Sequence, residues 1–153
     1  MPTSSSILTA LQNAVKGITT ANGYVTNLDS DNVFTRLTSL QNLQSVGAIK
    51  YPRVFIISDG ADYQDLPSNR IVKSESFTVL ALFAPDRNNV NDVTMETQVS
   101  NFVDDFEMMI GRNKQLGGSD LVQIQALATD VHIVETESVA MFELSITYRR
   151  SLA

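Results

Sequence analysis

Asp59, Asp62 and Asp65 lie close together in a stretch that also holds Gly60 and Pro67. If that stretch folded back on itself, the three carboxylates would converge on a cation. A carboxylate pair can also do acid–base work, provided an apolar setting raises one of the two pKa values. The Gly- and Pro-containing composition of residues 59–69 instead marks a loop or the tip of a long hairpin, where carboxylates are solvated. Residues 27–32, Asn-Leu-Asp-Ser-Asp-Asn, look faintly like a calcium loop. Counted from Asp29, however, Phe34 stands where the required Gly belongs and Leu40 where the Glu belongs. Such a run is better read as a turn whose Asp and Asn side chains bond their own backbone. Gly117-Gly118 lacks the Lys-Ser/Thr of a phosphate-binding loop and reads as a turn. His132, the single histidine, sits between Val131 and Ile133 in a strand pattern with no Ser, Cys or second ligand beside it. The chain has no cysteine, which excludes thiolate catalysis, disulfides and Cys-based zinc sites. No catalytic residue, cofactor or metal site is therefore expected.

Other function classes are excluded by the totals. Eleven basic residues against seventeen acidic ones give a net charge of −6, a poor balance for gripping phosphate backbones. Sequence-specific nucleic-acid binding is not expected. No apolar stretch approaches the roughly 20 residues a membrane helix needs. The opening Met-Pro-Thr-Ser-Ser-Ser has no basic segment followed by an apolar run, so no signal peptide is predicted. The expected environment is a reducing cytoplasm, until the protein joins something larger.

The elements that must position any working residue are clearer. Val99, Phe102, Val103, Phe106, Met109 and Ile110 recur at i, i+3, i+4, i+7, i+10 and i+11, one stripe of a helix over residues 93–110. Asn91 or Asp92 can cap it, and Gly111 can end it. A first helix, capped by Ser4, Ser5 or Ser6, carries Ile7, Leu8, Leu11, Val15 and Ile18 on one side. Residues 24–26 and 33–35 are short strand candidates. Leu37, Leu40, Leu43 and Val46 fit a short helix or an apolar surface loop. Residues 53–57 read as a strand buried on both faces because they do not alternate. Residues 70–84 form the longest strand pattern, with Phe77, Val79, Ala81 and Phe83 facing one way and Leu80 and Leu82 the other. Another strand lies within residues 122–134. In the last, residues 139–150, Ala140, Phe142, Leu144, Ile146 and Tyr148 alternate with Met141, Glu143, Ser145, Thr147 and Arg149. Residues 135–138 join these two strands as a hairpin.

Consecutive strands separated by single helices predict an α+β fold in one domain, residues 1–153. It should hold a single, mainly antiparallel sheet, two main helices on one face and a long β-hairpin. Contacts with partners are expected at the hairpin. Asp59, Asp62 and Asp65 mark its outgoing arm and Arg70 and Lys73 its return, so that acidic and basic arms of adjacent copies can pair. Arg149 and Arg150, at the end of the last strand, are the other contact candidates.

Four stretches resemble one family. Residues 7–11 and 19–24 are similar to its opening helix and the turn that follows. Residues 51–60, Tyr-Pro-Arg-Val-Phe-Ile-Ile-Ser-Asp-Gly, resemble its "Pro, strand, acidic turn" segment. The amphipathic helix before Leu116-Gly117-Gly118 resembles its second helix, and Phe142 to Arg149 its final strand with a Tyr-Arg ending. The family is that of the bacteriophage tail terminators (minor tail or tail completion proteins). The resemblance implies a structural virion protein rather than an enzyme. It would form a homohexameric ring that caps the tail tube, stops its polymerisation and offers a joining surface to the head. The implied partners are further copies of the chain, the tail tube protein, a head–tail connector or neck protein, and the tail sheath, with DNA passing through the ring. The implied location is the tail or neck of the virion, after assembly in the host cytoplasm. Another neck or connector protein, or a small ligand-binding protein, is the alternative.

Overall fold

The two strongest period-two patterns in the chain become the centre of one sheet. In the computed structural model, which describes residues 2–35, 52–67, 69–83, 93–129 and 138–151, strand β1 is Val33–Phe34, β2 Arg53–Leu66, β3 Arg70–Phe83, β4 Leu121–Thr129 and β5 Ser138–Ser151. Their order is β1-β2-β3-β5-β4. Only the β1–β2 pairing is parallel; the other three are antiparallel. Two helices, α1 (Ser4–Lys16) and α2 (Val93–Arg112), complete the described α+β fold.

Alternation decides which face meets the helices. Phe77, Val79, Ala81 and Phe83 of β3 and Ala140, Phe142, Leu144, Ile146 and Tyr148 of β5 share one core with Ile7, Leu11 and Val15 of α1 and Phe102, Phe106 and Met109 of α2. The Phe106 and Phe142 rings stack at 4.1 Å, and Phe102 lies edge-on to Phe83 at 5.6 Å. The residues of opposite parity, Leu80, Leu82 and Val139, join Phe55, Phe34 and Met141 in a second apolar cluster on the other face. This is why residues 53–56 do not alternate: both of their faces are covered.

Three expectations change. Helix α1 is capped by Thr3 rather than by one of the serines: Thr3 Oγ1 accepts from Ser6 N (3.1 Å), and Ser6 Oγ accepts from Thr3 N (2.8 Å). Residues 24–26 form no strand, because Asp105 of α2 takes their backbone donors, accepting from Val25 N (3.2 Å) and Thr26 N (2.6 Å). Gly111 lies inside α2, which continues to Arg112; Asn113 Nδ2 then donates to Met109 O (2.8 Å). Of the two readings of the 59–69 stretch the hairpin holds: residues 59–66 are the outer half of β2, paired with β3 as far as Leu66↔Arg70. Gly117 does turn the chain with a positive φ of 61°, under Ile7 and Ala10. The helix or apolar loop expected around Leu37 to Val46, the cap at Asn91 or Asp92, His132 and the 135–137 link lie outside the described residues.

Candidate functional site

Strand β1 covers β2 only at Val54 and Phe55. Beyond that point β2, β3 and β5 run on together until Leu66, Arg70 and Ser151 stand side by side. A bulge at Asp59 interrupts the β2–β3 register between Ser58 and Gly60. It turns Asp59 toward Thr78, whose hydroxyl donates to the Asp59 carboxylate. On the face away from the helices this extension is polar. Ser74 and Thr147 share a hydrogen bond (2.9 Å), and a hollow of about 670 Å³ is lined by Asp59, Asp62, Glu143, Ser76, Thr78 and Ser145, among others.

The helix-side face of the extension carries a buried polar cluster. Lys73 and Glu75 continue the inward parity of Phe77 and Val79, so both side chains point under the first turn of α1. Lys73 Nζ stands 3.0 Å from Glu75 Oε1, with 9% of the lysine side chain accessible. Ser4 is available here because Thr3, not Ser4, caps the helix. Its hydroxyl accepts from Lys73 Nζ and donates to Glu75, and the Tyr148 hydroxyl also donates to Glu75. Ser4 and Tyr148 oxygens lie 3.2 Å apart. Lys73 Nζ also sits 5.4 Å from the Tyr63 ring centroid and 5.9 Å from that of Tyr148.

Electrostatics decide what this cluster can do. Burial pulls the Lys73 ammonium down, but the hydrogen bond and charge of Glu75, with Tyr63 and Tyr148, outweigh it and hold the lysine well above its ordinary value. Burial pushes Glu75 up, and the hydrogen bonds from Ser4, Tyr148 and Lys73 overcome it, so its carboxyl lies below the usual range. Burial and the Glu75 carboxylate raise Tyr148. A serine touching a lysine invites comparison with a nucleophile and its base. A base must be neutral to take a proton, and here Glu75 keeps Lys73 charged. The geometry is that of a clasp between α1 and the root of the extension.

The expected contact residues are distributed unevenly around this clasp. Asp62 pairs with Ser74 on the polar face, Asp65 with Ile71 on the helix-side face, and Asp59 sits in the bulge, so the three do not converge. Among the described residues no group of three His, Asp or Glu stands close enough to hold a metal ion. Arg70, Arg149 and Arg150 are exposed, and Arg149 Nε reaches Asp120 at 3.4 Å. Lys73 is the correction. It is buried and paired, so the basic return arm of the hairpin consists of Arg70 alone. Sequence reasoning also missed Ser4, Glu75 and Tyr148 as a set. Lys73, Glu75 and Phe77 share parity, which was the available signal.

A scan against protein-family models finds no match, and a search of the curated proteins finds none either.

Proposed function

We propose that the chain is a structural assembly protein of a phage tail: a ring-forming terminator that caps the tail tube and stops its growth. The observation that carries this reading is the β2–β3–β5 extension. Its far end is charged and solvent-facing, with Asp62, Asp65, Arg70, Arg149 and Arg150 exposed, while its root is clasped to α1 through Ser4, Lys73, Glu75 and Tyr148. A projection with exposed charges at its tip suits repeated weak contacts around a ring. The resemblance to tail terminators supports a homohexamer that binds the tail tube protein on one side. On the other it would meet a head–tail connector or neck protein, with the sheath as a further neighbour and DNA passing through the opening. The working location is then the tail or neck of the virion. Adding purified protein to polymerising tail tube protein tests this reading. Tubes should stop growing and carry a ring at one end; tubes of unchanged length and bare ends would contradict it. Binding to the connector with no effect on tubes would place the protein in the neck instead.

A further inference from the structure

Among the described residues the sheet has two open edges of unlike character. Beyond Phe55, the outer edge of β2 has no strand neighbour among the described residues, and residues 58–65 are largely exposed. That edge carries Asp59, Asp62 and Asp65. At the opposite end of the sheet, β4 pairs among the described residues only with β5. Its nine residues, Leu-Val-Gln-Ile-Gln-Ala-Leu-Ala-Thr, include no charge, and Leu121 and Leu127 are each 42% exposed. Open edges are normally guarded by charges, because unpaired N–H and C=O groups recruit other strands. The β2 edge is guarded in that way. The β4 edge has only a bulge at Gln125.

We infer that the β4 edge of one copy receives the β2 edge of the next, extending the sheet head to tail from copy to copy. This deepens the ring reading by naming its contact, and it rests on that reading only in requiring that copies associate. Strand direction permits it. Strands β2, β3, β5 and β4 alternate in direction, so a second copy in the same orientation sets its β2 antiparallel to the first copy's β4. Continued without axial shift, Leu121–Ala126 stands beside Ile57–Asp62, and Ala128 and Thr129 must turn away where β1 takes over the β2 edge at Val54 and Phe55. Charge selects the partner. Two β2 edges would oppose their carboxylates, whereas β4 is neutral.

The registers also bring charges together. Asp62 is level with Ser74, Thr147 and Leu121 in its own sheet, and Asp65 with Ile71 and Arg150. With the sheet continued without axial shift, Asp65 of the incoming strand lies level with Arg150 of the receiving copy. Both side chains are on the helix-side face. Asp62 and Arg149 both occupy the polar face, two residues apart along the strands. Strand β4 does not extend beside Arg149 and Arg150, so Asp65 and Arg150 stand about two strand spacings apart, roughly 10 Å, and Asp62 and Arg149, which also meets Asp120 at 3.4 Å, roughly 12 Å.

Charge reversal tests the contact. Arg149→Glu with Arg150→Glu in one variant, and Asp62→Lys with Asp65→Lys in another, each set like charges across the contact. Each should raise the concentration for half-assembly by about tenfold; Arg149→Glu also loses the exposed pair with Asp120, so the melting of that monomer should fall slightly while that of the Asp62→Lys, Asp65→Lys monomer stays unchanged. Mixing the two restores opposite charges at every contact and should restore assembly. Because the chain lacks cysteine, Asp62→Cys and Leu121→Cys proteins should cross-link through a short bis-maleimide when mixed, and neither should do so alone. Unchanged assembly of both reversal variants, no rescue on mixing, or no mixed cross-link would overturn the strand contact and leave the tail reading standing. Assembly through these edges without an effect on tail tubes would count against the tail reading alone. A wild-type protein that stays monomeric, alone and with tube protein, would overturn both.

Discussion

Glu75 is the residue on which the clasp turns, since it accepts from Ser4, Lys73 and Tyr148 at once. Glu75→Gln removes the charge that Lys73 faces and leaves an ammonium with 9% accessibility uncompensated. The expected loss is about 3 kcal/mol, the low end for breaking a buried pair, because the lysine still meets some water. Replacing both partners, Lys73→Met with Glu75→Leu, should cost clearly less than Glu75→Gln alone, and urea melts of the three proteins check the order. The pH dependence has a defined sign. A carboxyl whose folded pKa lies below its unfolded value contributes stability above the ordinary value of 4.5, and that stability fades as pH falls through the folded pKa. Lys73, raised in the fold, contributes below 10.5, and its share fades only on the alkaline side. Stability should therefore drop as pH is lowered below about 4.5, and Glu75→Gln should flatten that drop; an equally steep acid limb in the variant would contradict the assignment. Asp105 is a second polar residue the fold depends on. Asp105→Ala leaves two backbone donors of residues 25 and 26 unpaired and should cost about 1–3 kcal/mol, with faster amide exchange at those two positions.

Helix α2 and strand β5 were legible because their patterns are long and agree with what they bury. Phe102, Phe106, Phe142, Leu144 and Ile146 meet between helix and sheet, as the spacing predicts. Phe106→Ala, which removes the ring stacked on Phe142, should cost roughly 3–5 kcal/mol in denaturant melts. A loss below about 1 kcal/mol would mean that this helix face packs elsewhere. The outer half of β2 was legible only as one of two readings, a loop or a hairpin tip, because Asp, Gly and Gln are poor strand formers and no described residue pairs with their outer edge. Its extended shape comes from pairing with β3, a tertiary cause that local composition does not carry. Residues 24–26 failed for the opposite reason. Their Tyr-Val-Thr favours a strand, yet the partner of their N–H groups is a carboxylate some eighty residues away. Lys73 shows the same limit at the site: its charge suggested the surface, while its parity with Phe77 placed it inside.

At the scale of the whole molecule, the sheet of the described residues ends in two unlike edges, and its charged extension is rooted by a buried clasp. An uncharged edge strand suits association with another strand, which is what the proposed ring requires. Salt should act on that association more than on folding, because Arg149, Arg150, Asp62 and Asp65 are exposed whereas Lys73 and Glu75 are not. Raising the ionic strength is expected to weaken assembly and leave the monomer's melting nearly unchanged, as light scattering and calorimetry across one salt series would register. The central claim is that copies of this chain close into a ring on the end of a tail tube. The measurement that tests it most directly is the mass of the purified protein, alone and after mixing with tail tube protein. The expected result is a six-copy species, formed alone or on contact with tubes and bound to their ends. A protein that keeps its monomer mass in both conditions would contradict the claim.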